Sequence, residues 1–288
     1  MRIILCCLAL VFGPDPGLKA QVSLAVVLDQ EQYLRDESLP VKVRITNLSG
    51  QTLHLGKEAD WLMFSVESRD GFVVRRLAEA PVAGEFDLES SLTATKRVDV
   101  MPCFGLSRPG RYTVTASVKI PQWNQELVTT PKTFDIVAGT KLREIEFGVP
   151  AINALPEVRK YALVQANSVN QLRLYVRVTD PLEAKVFRVV PVGPLVSVSH
   201  PEAQIDKSSQ LHLLFQTGAR SFYYAVVNPD GELIVRQTHD YAGGSRPVLR
   251  GGVEGRVFVS GGVRRVAASD VPSSVLTVST NEVKAPKL

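Results

Sequence analysis

Cysteine is scarce in this chain: three residues in 288, Cys6, Cys7 and Cys103. That excludes a disulfide-dense scaffold and leaves no set of thiolates for a structural zinc site. Histidine is nearly as rare. His54, His200, His212 and His239 are the only four, and none stands in H-E-x-x-H spacing. The chain lacks a G-x-S-x-G nucleophile elbow, a P-loop, a dinucleotide fingerprint and an Asp-rich calcium loop. No catalytic constellation, no metal site and no cofactor are expected. Charge of one sign is not concentrated either. The chain carries 33 Lys and Arg against 29 Asp and Glu, a formal +4, and no block of like charge stands out, so no nucleic-acid partner is expected. The apolar run Ile3–Phe12 has ten residues, short of the ~20 that a membrane helix needs, so no transmembrane segment is expected.

What is present is apolar material. Hydrophobic residues make up 45%, enough for packed cores, which excludes a disordered or collagen-like chain. At ~100–200 residues per domain, the length suggests two domains.

The first twenty residues have the layout of a secretory signal peptide. Met1-Arg2 is a minimal positive start, Ile3–Phe12 an unbroken apolar run, Gly13-Pro14-Asp15-Pro16-Gly17 a break, and Ala20 a small residue at the expected cleavage point. Cys6 and Cys7 follow Ile3-Ile4-Leu5, without the small residues of a lipobox. Cleavage after Ala20 would leave 268 residues with Cys103 as the sole cysteine and a charge of +3, since Arg2, Lys19 and Asp15 depart. The expected location is exported, periplasmic or extracellular, with no internal disulfide. Cys103, in Met101-Pro102-Cys103-Phe104, reads as a buried small hydrophobe.

Residues 21–138 alternate apolar and polar side chains, the period of half-buried strands. Val41, Val43 and Ile45 alternate with Lys42, Arg44 and Thr46, and Asn47-Leu48-Ser49-Gly50 follows as a turn. Thr52–Leu55 and Trp61–Val66 continue the pattern. Asp70-Gly71 is a hairpin signal that returns the chain along Phe72–Arg76. Tyr112, Val114 and Ala116 alternate with Thr113, Thr115 and Ser117, and Phe134 and Ile136 close the segment. Short strands at this spacing predict a β-sandwich or barrel. Through Leu39–Asn47 and Arg108–Ala116 the segment resembles bacterial immunoglobulin-like domains, with Tyr112 in the place of a tyrosine corner. Trp61–Val66 leading into Asp70-Gly71 is similar to the proteinase-inhibitor type of such domains.

Residues 139–288 contain a repeat. Val164–Val176 aligns without gaps on Ala203–Phe215, which places Gln165 on Gln204, Gln171 on Gln210, Leu172 on Leu211 and Leu174 on Leu213. A weaker third copy matches Pro247 to Pro201, Val257 to Leu211 and Val259 to Leu213. Each unit reads as strand, polar turn, strand. Further strands are expected at Lys185–Val190 and Leu195–Ser199 in the first copy, and at Ser221–Val227 and Glu232–Gln237 in the second, with Asn228-Pro229-Asp230-Gly231 as a turn. Repeats of ~40–45 residues with four short strands resemble β-propeller blades of the sialidase or six-bladed kind, without the sialidase Asp-box. The segment holds fewer than the four blades a propeller needs. It is expected to be a partial or irregular propeller. The alternatives are closure through Leu142–Phe147 and Ser274–Ser279, or a stacked sheet that is not a propeller. An open arrangement would leave a sheet edge for self-association.

The expected organisation is therefore all-β: signal peptide 1–20, immunoglobulin-like sandwich 21–138, and propeller-like repeats 139–288. The candidate ligand-binding residues are His239, Tyr241 and Arg246 in the inter-repeat loop, His200 in the matching loop, and Trp123 as a stacking platform. His54 and His212 read as ordinary sheet residues, and Arg75-Arg76 and Arg264-Arg265 as solvated strand positions. Asn47-Leu48-Ser49 is a formal glycosylation sequon. The function expected is an exported, non-catalytic binding or scaffolding protein with a protein or glycan partner. The alternatives are a proteinase inhibitor of the immunoglobulin-like type, or a glycan-binding or glycan-active protein using loop 239–246.

Overall fold

The computed structural model describes residues 21–82, 84–149, 157–169 and 171–272. The expected signal peptide, with its cleavage point and Cys6 and Cys7, and the strand expected at 274–279 lie outside them. The described residues are all-β. They hold no helix long and apolar enough to cross a membrane. In chain order the strands are β1 (Val22–Leu28), β2 (Gln32–Leu34), β3 (Pro40–Asn47), β4 (Leu53–Leu55), β5 (Leu62–Ser68), β6 (Phe86–Leu88), β7 (Thr93–Asp99), β8 (Gly110–Ile120), β9 (Gln125–Val128) and β10 (Lys132–Val137). They continue with β11 (Thr140–Val149), β12 (Glu157–Ser168), β13 (Gln171–Thr179), β14 (Val186–Pro194), β15 (Glu202–Ile205), β16 (Leu211–Gln216), β17 (Ser221–Val227), β18 (Leu233–Asp240), β19 (Val248–Gly251), β20 (Val257–Ser260) and β21 (Val263–Arg265). Two compact units divide the chain. Of the described residues, the first takes those up to Asp29, Leu39–Gly105 and Tyr112–Thr133, and the second takes Gln30–Ser38, Leu106–Arg111 and those from Phe134 on.

In the first unit β3 runs between β1 and β7, antiparallel to both. Its alternation is what the sequence predicts: Val41, Val43 and Ile45 are fully buried. β8 pairs with β5 and β9, and Tyr112, Val114, Ala116 and Val118 bury its inner face. The hairpin expected after Asp70-Gly71 does not close. The turn is present, with Gly71 at φ +83, but β5 pairs with β8. Phe72–Arg76 forms no strand, only a bridge from Arg76 to Phe104. Phe72 and Val74 are half-buried, but Val73 is left 93% exposed and the apolar face ends at Arg75-Arg76. Phe72 instead packs edge-on against Tyr112, with ring centroids 5.7 Å apart.

Asn47 is fully buried at the end of β3 and pegs two turns. Its Nδ2 donates to the Gln51 carbonyl at 2.7 Å and the Leu88 carbonyl at 2.8 Å. Its Oδ1 accepts from the Ser49 N–H at 3.0 Å and the Ser49 hydroxyl at 2.7 Å. The sequon asparagine is thus walled in, with both amide hydrogens taken. Cys103 is buried on the short 3-10 turn Met101–Cys103, and burial raises its thiol above the ordinary range.

The second unit contains two antiparallel meanders, β11-β12-β13-β14 and β15-β16-β17-β18-β21, and the separate hairpin β19-β20. One apolar core joins the meanders: Tyr161, Leu163, Leu174, Val176 and Val178 from the first, Leu211, Leu213, Phe215, Ala225 and Val227 from the second. Each fully buried Leu or Phe adds about 1.5–3 kcal/mol. The repeat maps onto this arrangement. Its first copy builds β12 and β13 and its second builds β15 and β16. The matched Leu172, Leu174, Leu211 and Leu213 all contribute to the shared core. The third copy is the hairpin, with β19 standing 46 residues beyond β15 and β20 beginning 46 beyond the start of β16. The expected strand at Leu195–Ser199 is a turn-containing connection instead. Leu195 is buried, while Val198 is 84% exposed, so alternation ends after β14.

Residues 30–38 also belong to this unit. β2 lies parallel to β10, and Leu34 packs with Ala162, Val164, Ala166, Tyr175 and Val189. Asp36 pairs with Arg177 at 2.8 Å, and Gln32 Oε1 accepts from the Val169 N–H at 2.7 Å. Gly139, between β10 and β11, is required by this packing. A Cβ there would lie 2.3 Å from Val164 Cγ1 and 2.8 Å from Leu34 Cδ1. The edge strand β11 is bulged between Lys141 and Arg143 and carries Lys141, Arg143, Glu144 and Glu146. Bulges and charges are devices that blunt strand addition.

Candidate functional site

The outer face of the second meander, away from the shared core, gathers most of the chemistry in this unit. Alternation decides which residues reach it. On β16, Leu211, Leu213 and Phe215 fill the core, which turns His212 and Leu214 outward. Phe222 and Tyr224 do the same on β17, and His239 is the cross-strand partner of Phe222 on β18. Leu214, Phe222 and Leu249 form a small apolar cluster, against which Tyr224, Tyr241, Val257 and Val259 pack.

His212 was not singled out by its sequence context, yet it centres a hydrogen-bonded chain. One ring nitrogen, Nδ1, meets the Tyr224 hydroxyl at 2.7 Å. The other, Nε2, meets Asp206 Oδ2 at 3.1 Å. Asp206 also accepts from the N–H groups of Ser208 at 2.8 Å and Gln210 at 2.9 Å. Burial pushes the Asp206 carboxyl up, but the His212 and backbone hydrogen bonds outweigh it, and the net displacement is downward. Burial, then the Asp206 charge, raises the Tyr224 phenol. With both ring nitrogens taken and the residue 6% exposed, His212 positions Tyr224 instead of offering a free base to solvent. The sequence signal lay in how the second repeat departs from the first: Asp206 and His212 replace Asn167 and Arg173.

His239 stands edge-on to Tyr224, with ring centroids 6.3 Å apart. Its Nε2 is buried without a hydrogen-bond partner. Burial, and then the nearby Arg264 charge, hold the imidazole below its ordinary pKa. The Arg246 guanidinium lies 5.2 Å from the Phe222 ring centre. Arg220 lies 5.0 Å from the ring centre of Tyr241, whose N–H donates to the Arg220 carbonyl at 2.8 Å. Cation–π contacts at exposed sites contribute about 0.5–1 kcal/mol each.

Of the residues expected to bind ligand, the structure brings His239, Tyr241 and Arg246 together around Phe222. Their setting differs from the loop expected. His239 and Asp240 belong to β18, and the turn shrinks to Ala242–Ser245, closed by Gly243 and Gly244 at φ +58 and +78. His239 and Asp240 point to opposite faces, as neighbours in a strand must. Asp240 is held by Ser221 at 2.8 Å and Arg265 at 2.6 Å. β15 and β19 run side by side, with Glu202 Oε2 accepting from the Leu249 N–H at 2.8 Å. His200 is exposed two residues before β15, and no contact joins it to the cluster. Trp123 belongs to the first unit, half-buried on the 3-10 turn Pro121–Trp123. A cleft of about 320 Å³ in that unit is lined by His54, Glu58, Phe86, Asp87 and Gln122. On its wall His54 and Asp87, cross-strand neighbours on β4 and β6, form an exposed pair with Nδ1 and Oδ1 2.5 Å apart. Among the described residues no group of three or more His, Cys, Asp or Glu is arranged to hold a metal.

The described residues thus define an all-β protein of mainly antiparallel sheets with an aromatic and cationic face. Neither a family model nor a curated protein matches the sequence. Among solved structures the chain is similar to the sporulation control protein Spo0M from Bacillus subtilis, at a TM-score of 0.28 and 7% identity, covering 55% of this chain and 80% of that one.

Proposed function

We propose that this chain is an exported binding protein without catalytic machinery, and that its ligand surface is the outer face of β16–β18. The observation that carries this reading is the convergence of Arg246, Tyr241 and His239 on Phe222. A guanidinium over a ring and a second ring at its side suit a sugar that carries an anionic group. The rings supply flat apolar area and Arg246 supplies charge.

Export rests on the layout of residues 1–20, and N-terminal sequencing of protein from an envelope fraction tests it. An immunoglobulin-like sandwich remains the reading for the first unit, supported by the fully buried Tyr112 beside Phe72. A partial or irregular propeller remains the reading for the repeats, supported by two sheets of four and five strands that share one apolar core.

Glycan-array binding by the purified protein is the direct test. Arg246→Ala and Tyr241→Ala are each expected to weaken binding to acidic glycans about tenfold. Both side chains are near the surface, so thermal melts should be little changed. Array signals identical to those of the unaltered protein would overturn the proposal.

A further inference from the structure

The formal charge of the whole chain, +4, is matched by that of residues 246–265 alone, where five arginines face a single carboxylate, Glu254. Glycines and apolar residues space these arginines out, so the sequence shows no basic block. Folding assembles them. β19 and β20 pair Arg250 with Phe258, side by side on one face, while Leu249, Val257 and Val259 fill the other face against the meander. The connecting turn presents Val253, 88% exposed, and Arg256, also exposed. Lys207 stands beside this tip, since a Cβ on Gly255 would lie 3.4 Å from its own. Among the described residues neither Arg250 nor Arg256 has a side-chain hydrogen bond or ion pair. Arg246, Arg264 and Arg265 engage Phe222, Asp270 and Asp240 instead.

We propose that the β19–β20 hairpin docks on an anionic phospholipid surface. Unpaired cations on an exposed hairpin seek negative charge, and the field of an acidic bilayer acts on each of them. The interleaved Val253 and Phe258, left in water by the fold, select a bilayer over a soluble polyanion: they gain by entering the headgroup boundary, which a sulfated chain does not offer. The tip meets the lipid, the outer face of the hairpin lies along the headgroups, and the buried face keeps its place on β16 and β17. This goes beyond the ligand reading, which uses Arg246 and the residues around Phe222.

Sedimentation of the purified protein with vesicles tests it, comparing equal parts phosphatidylglycerol and phosphatidylcholine with phosphatidylcholine alone. Binding is expected only to the acidic vesicles and should weaken as salt rises. Each arginine removed should cost about fivefold in partition, so R250E/R256E should lose at least about tenfold. V253S/F258S should lose severalfold, while R69E, on an exposed turn of the first unit, should bind as the unaltered protein does. A thermal melt of each variant establishes that the fold persists. Three results would overturn the proposal: no binding to acidic vesicles, undiminished binding by R250E/R256E, or capture by heparin with vesicle binding indifferent to V253S/F258S.

Discussion

In the first unit the buried polar side chains hold turns. Asn47 ties Gln51, Leu88 and Ser49 together, and Asp99 accepts from the N–H groups of Leu39 and Met101. In the second unit buried polar groups also build a surface. Asp206 orients His212, His212 orients Tyr224, and Tyr224 flanks His239. Both units rest on apolar alternation along strands. The difference teaches where function is expected: a polar group whose partners lie in the turns it ties together serves the fold, whereas a row of polar rings across three strands serves whatever meets that face.

The sharpest way to break this comparison is through the cores. Leu213→Ala and Ile45→Ala each empty a fully buried site and should cost about 2–5 kcal/mol. Hydrogen exchange is expected to show the loss of protection chiefly within the mutated unit; equal loss across both would erase the distinction. Asn47→Ala comes next, at about 2–3 kcal/mol, because it strands two carbonyls and two donors in a buried turn. Chemical denaturation measures it, and a loss below about 0.5 kcal/mol would show that the turn is held by something else.

The smallest expected effect is the pH response of His239. Its folded pKa lies below the unfolded value of 6.5. The unfolded chain therefore binds more protons in the window just below 6.5, and stability falls as pH drops through it. Well above 6.5, where both states are neutral, this group adds no pH dependence. His239→Gln should flatten that window in melts taken across it, and an unchanged slope would place the pH response elsewhere.

Much of the fold was legible because period-2 alternation is a direct record of burial. β3, β8 and β17 stand where Val41, Tyr112 and Phe222 and their neighbours put them. The repeat was legible too, down to the 46-residue offset of its truncated third copy. Its meaning was not: a strand–turn–strand repeat reads the same in stacked sheets as in blades, since both bury residues such as Leu174 and Leu213 between facing sheets. The site was half legible. Arg246 and Tyr241 announced themselves beside Gly243-Gly244, but His212 did not, because its partners Asp206 and Tyr224 sit on other elements. The cationic hairpin escaped notice because glycines and apolar residues space its arginines out along the chain.

The recruitment of residues 30–38 into the second unit has a consequence in time. Asp36 is separated from its partner Arg177 by 141 positions. A chain synthesised from its N-terminus presents β1 and β3 long before β12 and β13 exist. Leu34 must stay solvated, or be shielded by something else, until Val164 and Tyr175 arrive. The order of emergence and the order of assembly are therefore opposed at this segment, and its seating is a late event that closes a long loop.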